Sequence, residues 1–262
     1  MGVSFRRGGI ASIILALAFL AAWEWLPSWA GLPIYIVPPV SQVGAEFVRM
    51  LELDDLPLHT AVTLGEVVAG FLLGALLGMF VGYSLGLSPT AEFVLSPYIL
   101  ALQIAPKVAF APLFVMWFGY TVYPKILVAI LIVFFPVMVN VLGAIRTVDR
   151  DMINQARSFT ASRAQVFWKI EFPASMPALF SGLRIASTLA VIGVVVGEMV
   201  GADIGLGYLL VFGEGQANTA MVFVTIILLT LIGIIAYLAV VLAERRVLHY
   251  MPKRDIGQVD GN

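Results

Sequence analysis

Six long apolar runs dominate this chain, at about residues 9 to 27, 60 to 86, 90 to 118, 123 to 145, 174 to 200 and 219 to 243. Each is near or above the ~20 residues that an α-helix needs to cross ~30 Å of hydrocarbon. In that solvent every backbone N–H and C=O must be satisfied inside the protein, so runs of this length fold as spanning helices. Composition points the same way, with 61% apolar and only 12% charged residues, where soluble proteins carry roughly 25% charged. The sequence therefore predicts an all-α membrane protein with six transmembrane helices, a single domain over residues 1–262 and a core at about 60–245.

The first run follows Arg6 and Arg7 and contains Ala16-Leu17-Ala18, the outline of a signal peptide. Hydrophobicity continues through Trp23 and Trp25, which predicts a retained anchor. Trp23, Trp25 and Trp29 read as an interfacial belt. With both ends inside, Arg6, Arg7, Arg146, Arg150, Arg157, Arg163, Lys169, Arg245, Arg246, Lys253 and Arg254 face the cytoplasm, and only Arg49 and Lys125 lie outside. That asymmetry predicts a multi-pass membrane protein with cytoplasmic termini. A short surface helix starting at Ser41 is expected in the first external loop.

Several functions are excluded. The net charge of -1 suggests no nucleic-acid partner, and the absence of cysteine removes disulfides and thiolate chemistry. No HExxH, GxSxG or GxxxxGK[ST] motif occurs, and His59 and His249 read as interfacial polar residues rather than metal ligands. No catalytic residues, metal or cofactor are expected in this chain, which is no enzyme by this reading.

Between the apolar halves lies a polar island, Asp149 to Pro177, in which Arg150, Arg157, Arg163 and Lys169 alternate with apolar residues at helical spacing. Two short amphipathic helices are expected there, on the cytoplasmic side, where a soluble partner docks. The offsets of Gln155, Ala156, Arg157, Ala161, Phe167, Ile170 and Phe172-Pro173 resemble the EAA loop of bacterial ABC importer permeases, although Glu, the second Ala, Gly and Leu of that pattern are replaced. The likeness continues through Pro177, Gly182-Leu183-Arg184, Gly197-Glu198 and Gly205-Leu206-Gly207. It covers nearly the whole chain, and is strongest to the nitrate, sulfonate, taurine and vitamin-precursor branch.

The resemblance implies a type I importer permease fold with cytoplasmic coupling helices in a loop at 149–172. It implies coupling to an ATPase through Gln155, Ala156, Arg157, Ala161, Phe167, Ile170 and Pro173. It further implies separate ATPase subunits that bind ATP and Mg, an extracytoplasmic substrate-binding protein and a second permease copy in a homodimer. QIAPKVAFAPLFVMWFG and GEMVGADIGLGYL look most like permeases for riboflavin or thiamine-pyrimidine uptake. An organic or inorganic anion (sulfonate, taurine, nitrate) stays open, as does a passive channel.

Gly70, Gly74, Gly78, Gly82 and Gly86 share one helix face, where missing side chains let another helix approach closely, within the chain or at a sliding or homodimer seam. The third run is interrupted by Gln103, Pro106, Lys107 and Pro112. Broken backbone at membrane depth survives only where it is buried or lines a wet cavity, so Gln103, Pro106, Lys107, Phe110 and Trp117 are candidate pathway residues. Lys107 pairs with Glu198 or another acid, snorkels, or meets the solute. Glu198 is either a pathway residue or a structural partner inside the bundle. Arg184 is expected to order the EAA-type loop, and the glycine-rich stretch 201–208 to turn back as a short external or re-entrant segment.

Overall fold

The computed structural model describes residues 2–250, and side chains from 11 to 249. Arg6, Arg7, Lys253 and Arg254 of the basic asymmetry lie outside the described side chains. The chain runs α1 (Gly2–Trp29), α2 (Val40–Leu53), α3 (Leu56–Gly86), α4 (Pro89–Ile104), α5 (Ala111–Phe118), α6 (Val122–Arg146), α7 (Arg150–Ser158), α8 (Arg163–Val166), α9 (Phe172–Gly201), α10 (Leu206–Gly215) and α11 (Thr219–Val247).

Among the described residues five helices are long and apolar enough to span a bilayer: α1, α3, α6, the continuous rod 163–201 through α8 and α9, and α11. The third expected span is not straight. It is α4 followed by a 3₁₀ turn, Lys107–Phe110, and α5, bent by 81°. Ala105 and Pro106 leave helical geometry at the bend, because proline disfavours helix in the residue before it.

The core is a sandwich of α3, α6 and α9. Ala129, Val133, Val137 and Val141 of α6 are all completely buried between the other two, while Val128 packs with Ala111 of α5 and Met138 with Leu85 of α3. The glycine row makes this possible. A Cβ at Gly70 would stand 2.5 Å from Ala129 Cβ, and one at Gly78 would stand 2.7 Å from the Phe134 carbonyl oxygen. Gly74, Gly82 and Gly86 meet Val133, Val141 and Ile145 in the same way. From the opposite side Gly193 of α9 approaches Ala129 so closely that a Cβ there would lie 2.6 Å from its Cα. All five glycines of the row thus belong to a seam within one chain.

Around this sandwich α11 packs on α9, α10 and α2. α2 begins at Val40, one residue before the expected start, and the Glu24 carboxylate of α1 accepts from both the backbone N–H and the hydroxyl of Ser41 (2.9 and 2.7 Å). α1 otherwise touches the bundle through Trp23, whose indole donates to Pro38 O and whose ring meets Phe223. Trp25 and Trp29 remain exposed.

Candidate functional site

The polar island folds as two short helices and then runs without interruption into α9. Asp149 caps α7 by accepting from the Asp151 N–H at 2.8 Å, and Ser162 with Gln165 forms a capping box at α8. Residues 167–171 take a π-helical turn, a geometry that inserts an extra residue and re-aims the side chains beyond it.

Phe167, expected to face a partner, turns inward: its ring meets Tyr83 of α3 edge-on at 5.4 Å and Phe172 at 5.8 Å. Tyr83 is fixed in turn by a 2.8 Å hydrogen bond between its hydroxyl and that of Ser175. Gln155 and Arg157 are exposed, while Ala156, Ala161, Ile170 and Pro173 are half-buried. Phe159 and Trp168 stand 76% and 62% exposed, and the sequence reading had passed over both. Large aromatic rings in an otherwise polar stretch were the available signal.

Arg184 does not reach this loop. It pairs with Glu244 of α11 at 3.5 Å and donates to Ser181, tying α9 to the end of α11.

At the break between α4 and α5, Gln103 and Pro106 are exposed and Lys107 is half-buried. Lys107 forms no pair with Glu198. Its ammonium donates to the carbonyl oxygens of Gln103 and Ala105 and sits 4.8 Å above the Phe135 ring, so freed backbone and an aromatic face hold it. Phe110, Phe114 and Trp117 follow one another with ring centroids 6.2 and 6.0 Å apart, and Trp117 is exposed.

Glu198 is 1% exposed, so it does not share the open surface of Gln103. Its carboxylate accepts from the Thr63 hydroxyl at 2.7 Å and from the Gly207 N–H at 2.6 Å. These bonds join α3, α9 and the start of α10. Nearby, Lys125 is buried, 4% exposed, and ion-paired with the equally buried Glu66. Sequence reading overlooked Glu66, whose place on α3, seven residues beyond His59 and three beyond Thr63, puts it on their face.

Residues 70–249 match the family described as binding-protein-dependent transport system inner membrane component. The chain belongs to that family. A riboflavin transport system permease protein of Chloroflexus aurantiacus is 35% identical over 88% of this chain and 87% of its own length. A taurine transport system permease protein of Escherichia coli is 32% identical over 72% of this chain and 68% of its own. In fold, the permease resembles a chain from inward-facing structures of the MetNI methionine ABC transporter, with a TM-score of 0.62 at 17% identity, covering 72% of this chain and 94% of that one. The protein is thus a multi-pass inner-membrane permease of an ABC importer for small solutes.

Proposed function

We propose that two copies of this permease form a pathway whose solute is a flat heteroaromatic related to riboflavin or the thiamine pyrimidine. ATPase subunits grip the loop at 149–172, an external binding protein delivers the solute, and both termini lie in the cytoplasm. ATP and Mg belong to the ATPase, and this chain moves solute without chemistry.

The observation that carries this reading is the polar break on the chain's own surface. Gln103, Pro106 and Lys107 stand at least partly open where the backbone is non-helical. Such a break is not stable against hydrocarbon, so water and a second copy cover it. The riboflavin relative and the aromatic row of Phe110, Phe114 and Trp117 favour a flat ring, which Gln103 would hydrogen-bond. The taurine relative supports a second reading, a small organic anion drawn by Lys107.

Transport in vesicles holding the permease with its ATPase and binding protein tests both. ATP-dependent uptake of riboflavin but not taurine is expected, with residual transport in Lys107→Met. Taurine uptake that collapses in Lys107→Met establishes the anion reading instead. Flux without ATP or the ATPase overturns the importer mechanism in favour of a passive channel.

A further inference from the structure

Helix α10 lacks a cap of its own. Its N-cap position is Gly205, which has no side chain, and an α-helix leaves its first N–H groups without intrahelical acceptors. Three consecutive N–H groups there are satisfied from other helices. Gly205 N–H donates to His59 Nδ1 at 2.9 Å, Leu206 N–H to Thr63 Oγ1 at 2.8 Å, and Gly207 N–H to Glu198 Oε2 at 2.6 Å. Thr63 passes its own hydroxyl hydrogen to Glu198 Oε1, closing the network. His59 and Thr63 are four residues apart on one face of α3, and the His59 ring also stacks on Tyr208 at 5.9 Å.

The connection is shaped to receive these groups. Gly205 has φ +124, a conformation that L side chains rarely adopt, and a Cβ there would overlap the Glu198 carboxylate. A Cβ at Gly207 would lie 2.7 Å from Glu198 Cβ. A carboxylate at a helix N-terminus also meets the positive end of the helix dipole. On its other side α10 continues into α11 through a short turn, where the Asn218 N–H donates to Gly213 O at 2.8 Å and Gly213 lies over Met221.

We propose that Glu198 is a positioning residue: together with Thr63 and His59 it caps α10 from outside and locks it to α3 and α9, so that these three helices move as one body while the pathway opens and closes. This rests on the reading of the permease as one wall of an ATP-driven pathway. Binding of the ATPase is therefore checked first, and its absence counts against that reading rather than this one.

The chain has no cysteine of its own. Spin labels therefore go on the exposed positions Leu73→Cys (α3), Val211→Cys (α10) and Ile235→Cys (α11). Pulsed electron resonance is recorded on the permease–ATPase complex with and without ATP, labelled copies being diluted with unlabelled ones. The α10–α3 distance is expected to be narrow and unmoved by ATP, to lose its narrow component in Glu198→Ala and to regain it in Glu198→Gln; the α10–α11 distance, held by the short turn between them, gives the reference width. An ATP-dependent shift between α10 and α3 in the wild type overturns the proposal. So does a Glu198→Ala distribution as narrow as the wild type.

Discussion

Thr63 donates its hydroxyl hydrogen to Glu198 across 2.7 Å of buried space while accepting from the Leu206 N–H, so one side chain bridges α3, α9 and α10. Removing the acceptor strands the Thr63 hydroxyl and the Gly207 N–H together, and each such buried orphan costs about 1–3 kcal/mol. Glu198→Ala is expected to lower the thermal midpoint of the purified permease well below that of Glu198→Gln, whose amide oxygen still accepts from Gly207. Equal midpoints for the two variants would show the network to be dispensable for stability.

The α3–α6 seam offers a contrast within one helix. A Cβ at Gly70 meets Ala129 Cβ at 2.5 Å, whereas one at Gly65 meets nothing within 4 Å. Gly70→Ala should cost about 1–3 kcal/mol through overpacking. Gly65→Ala should be neutral or stabilise by up to ~1 kcal/mol, the helix-propensity difference. Denaturation of both variants in the same detergent checks the sign at each position.

Most of the fold was legible because its causes are local: apolar length marks the spans, and Gly70 to Gly86 at four-residue spacing marks a close helix pair. Which helix fills that seam was not, since Ala129 looks like any other apolar residue in its run and only tertiary packing pinches it between Gly70 and Gly193. The pairing of the charged residues was hidden for a related reason. Lys125 opens an apolar run, and nothing near it in sequence shows that its charge is buried against Glu66, more than fifty positions earlier. Likewise Phe167 keeps its family offset, but its ring packs on Tyr83 of α3, more than eighty positions earlier. The break at Pro106 was visible at once, because proline acts on its own backbone.

The Glu66–Lys125 pair should behave as two charges that need each other. Both side chains are no more than 5% exposed. Lys125→Met leaves a buried carboxylate unpaired and should destabilise by about 3–5 kcal/mol. Replacing both partners, Lys125→Met with Glu66→Leu, removes the desolvation problem and should recover most of that loss. Folded yield and thermal midpoint of the single and double variants decide; a double variant no better than the single one would refute the pairing.

Phe167 and Trp168 are neighbours with opposite surroundings, one ring packed on Tyr83 and the other 62% exposed. If the ATPase grips this loop, Trp168→Ala should weaken its binding at least tenfold, the order of ~2 kcal/mol typical of an exposed aromatic anchor, with the permease fold intact. Phe167→Ala should instead lower permease stability by about 3 kcal/mol or less, its site being only half-buried. Binding assays and melting curves on the same two proteins separate the roles, and unchanged ATPase binding in Trp168→Ala would move the docking surface elsewhere.

Acid should loosen the bundle at one identifiable joint. Glu46 of α2 receives a forked hydrogen bond from Arg49 (2.9 and 2.6 Å), and the Asn218 amide just before α11 donates to it at 2.7 Å. The Arg49 hydrogen bond, joined by those of Asn218 and the Arg49 charge, holds the Glu46 carboxyl below its ordinary value of 4.5 despite some burial. A folded value below the unfolded one means that the contribution to stability is complete above the unfolded value and is lost as pH falls through the folded one. Between neutral pH and about pH 5 the joint should therefore be unaffected, and below ~4 it should weaken. Hydrogen exchange along α2 at stepped pH measures this directly. Protection, taken relative to the intrinsic exchange rate at each pH, should fall in the acid range in the wild type, and in Glu46→Gln it should already be lower at neutral pH and change less on acidification. An α2 whose protection responds to acid equally in both proteins would place the sensitive group elsewhere.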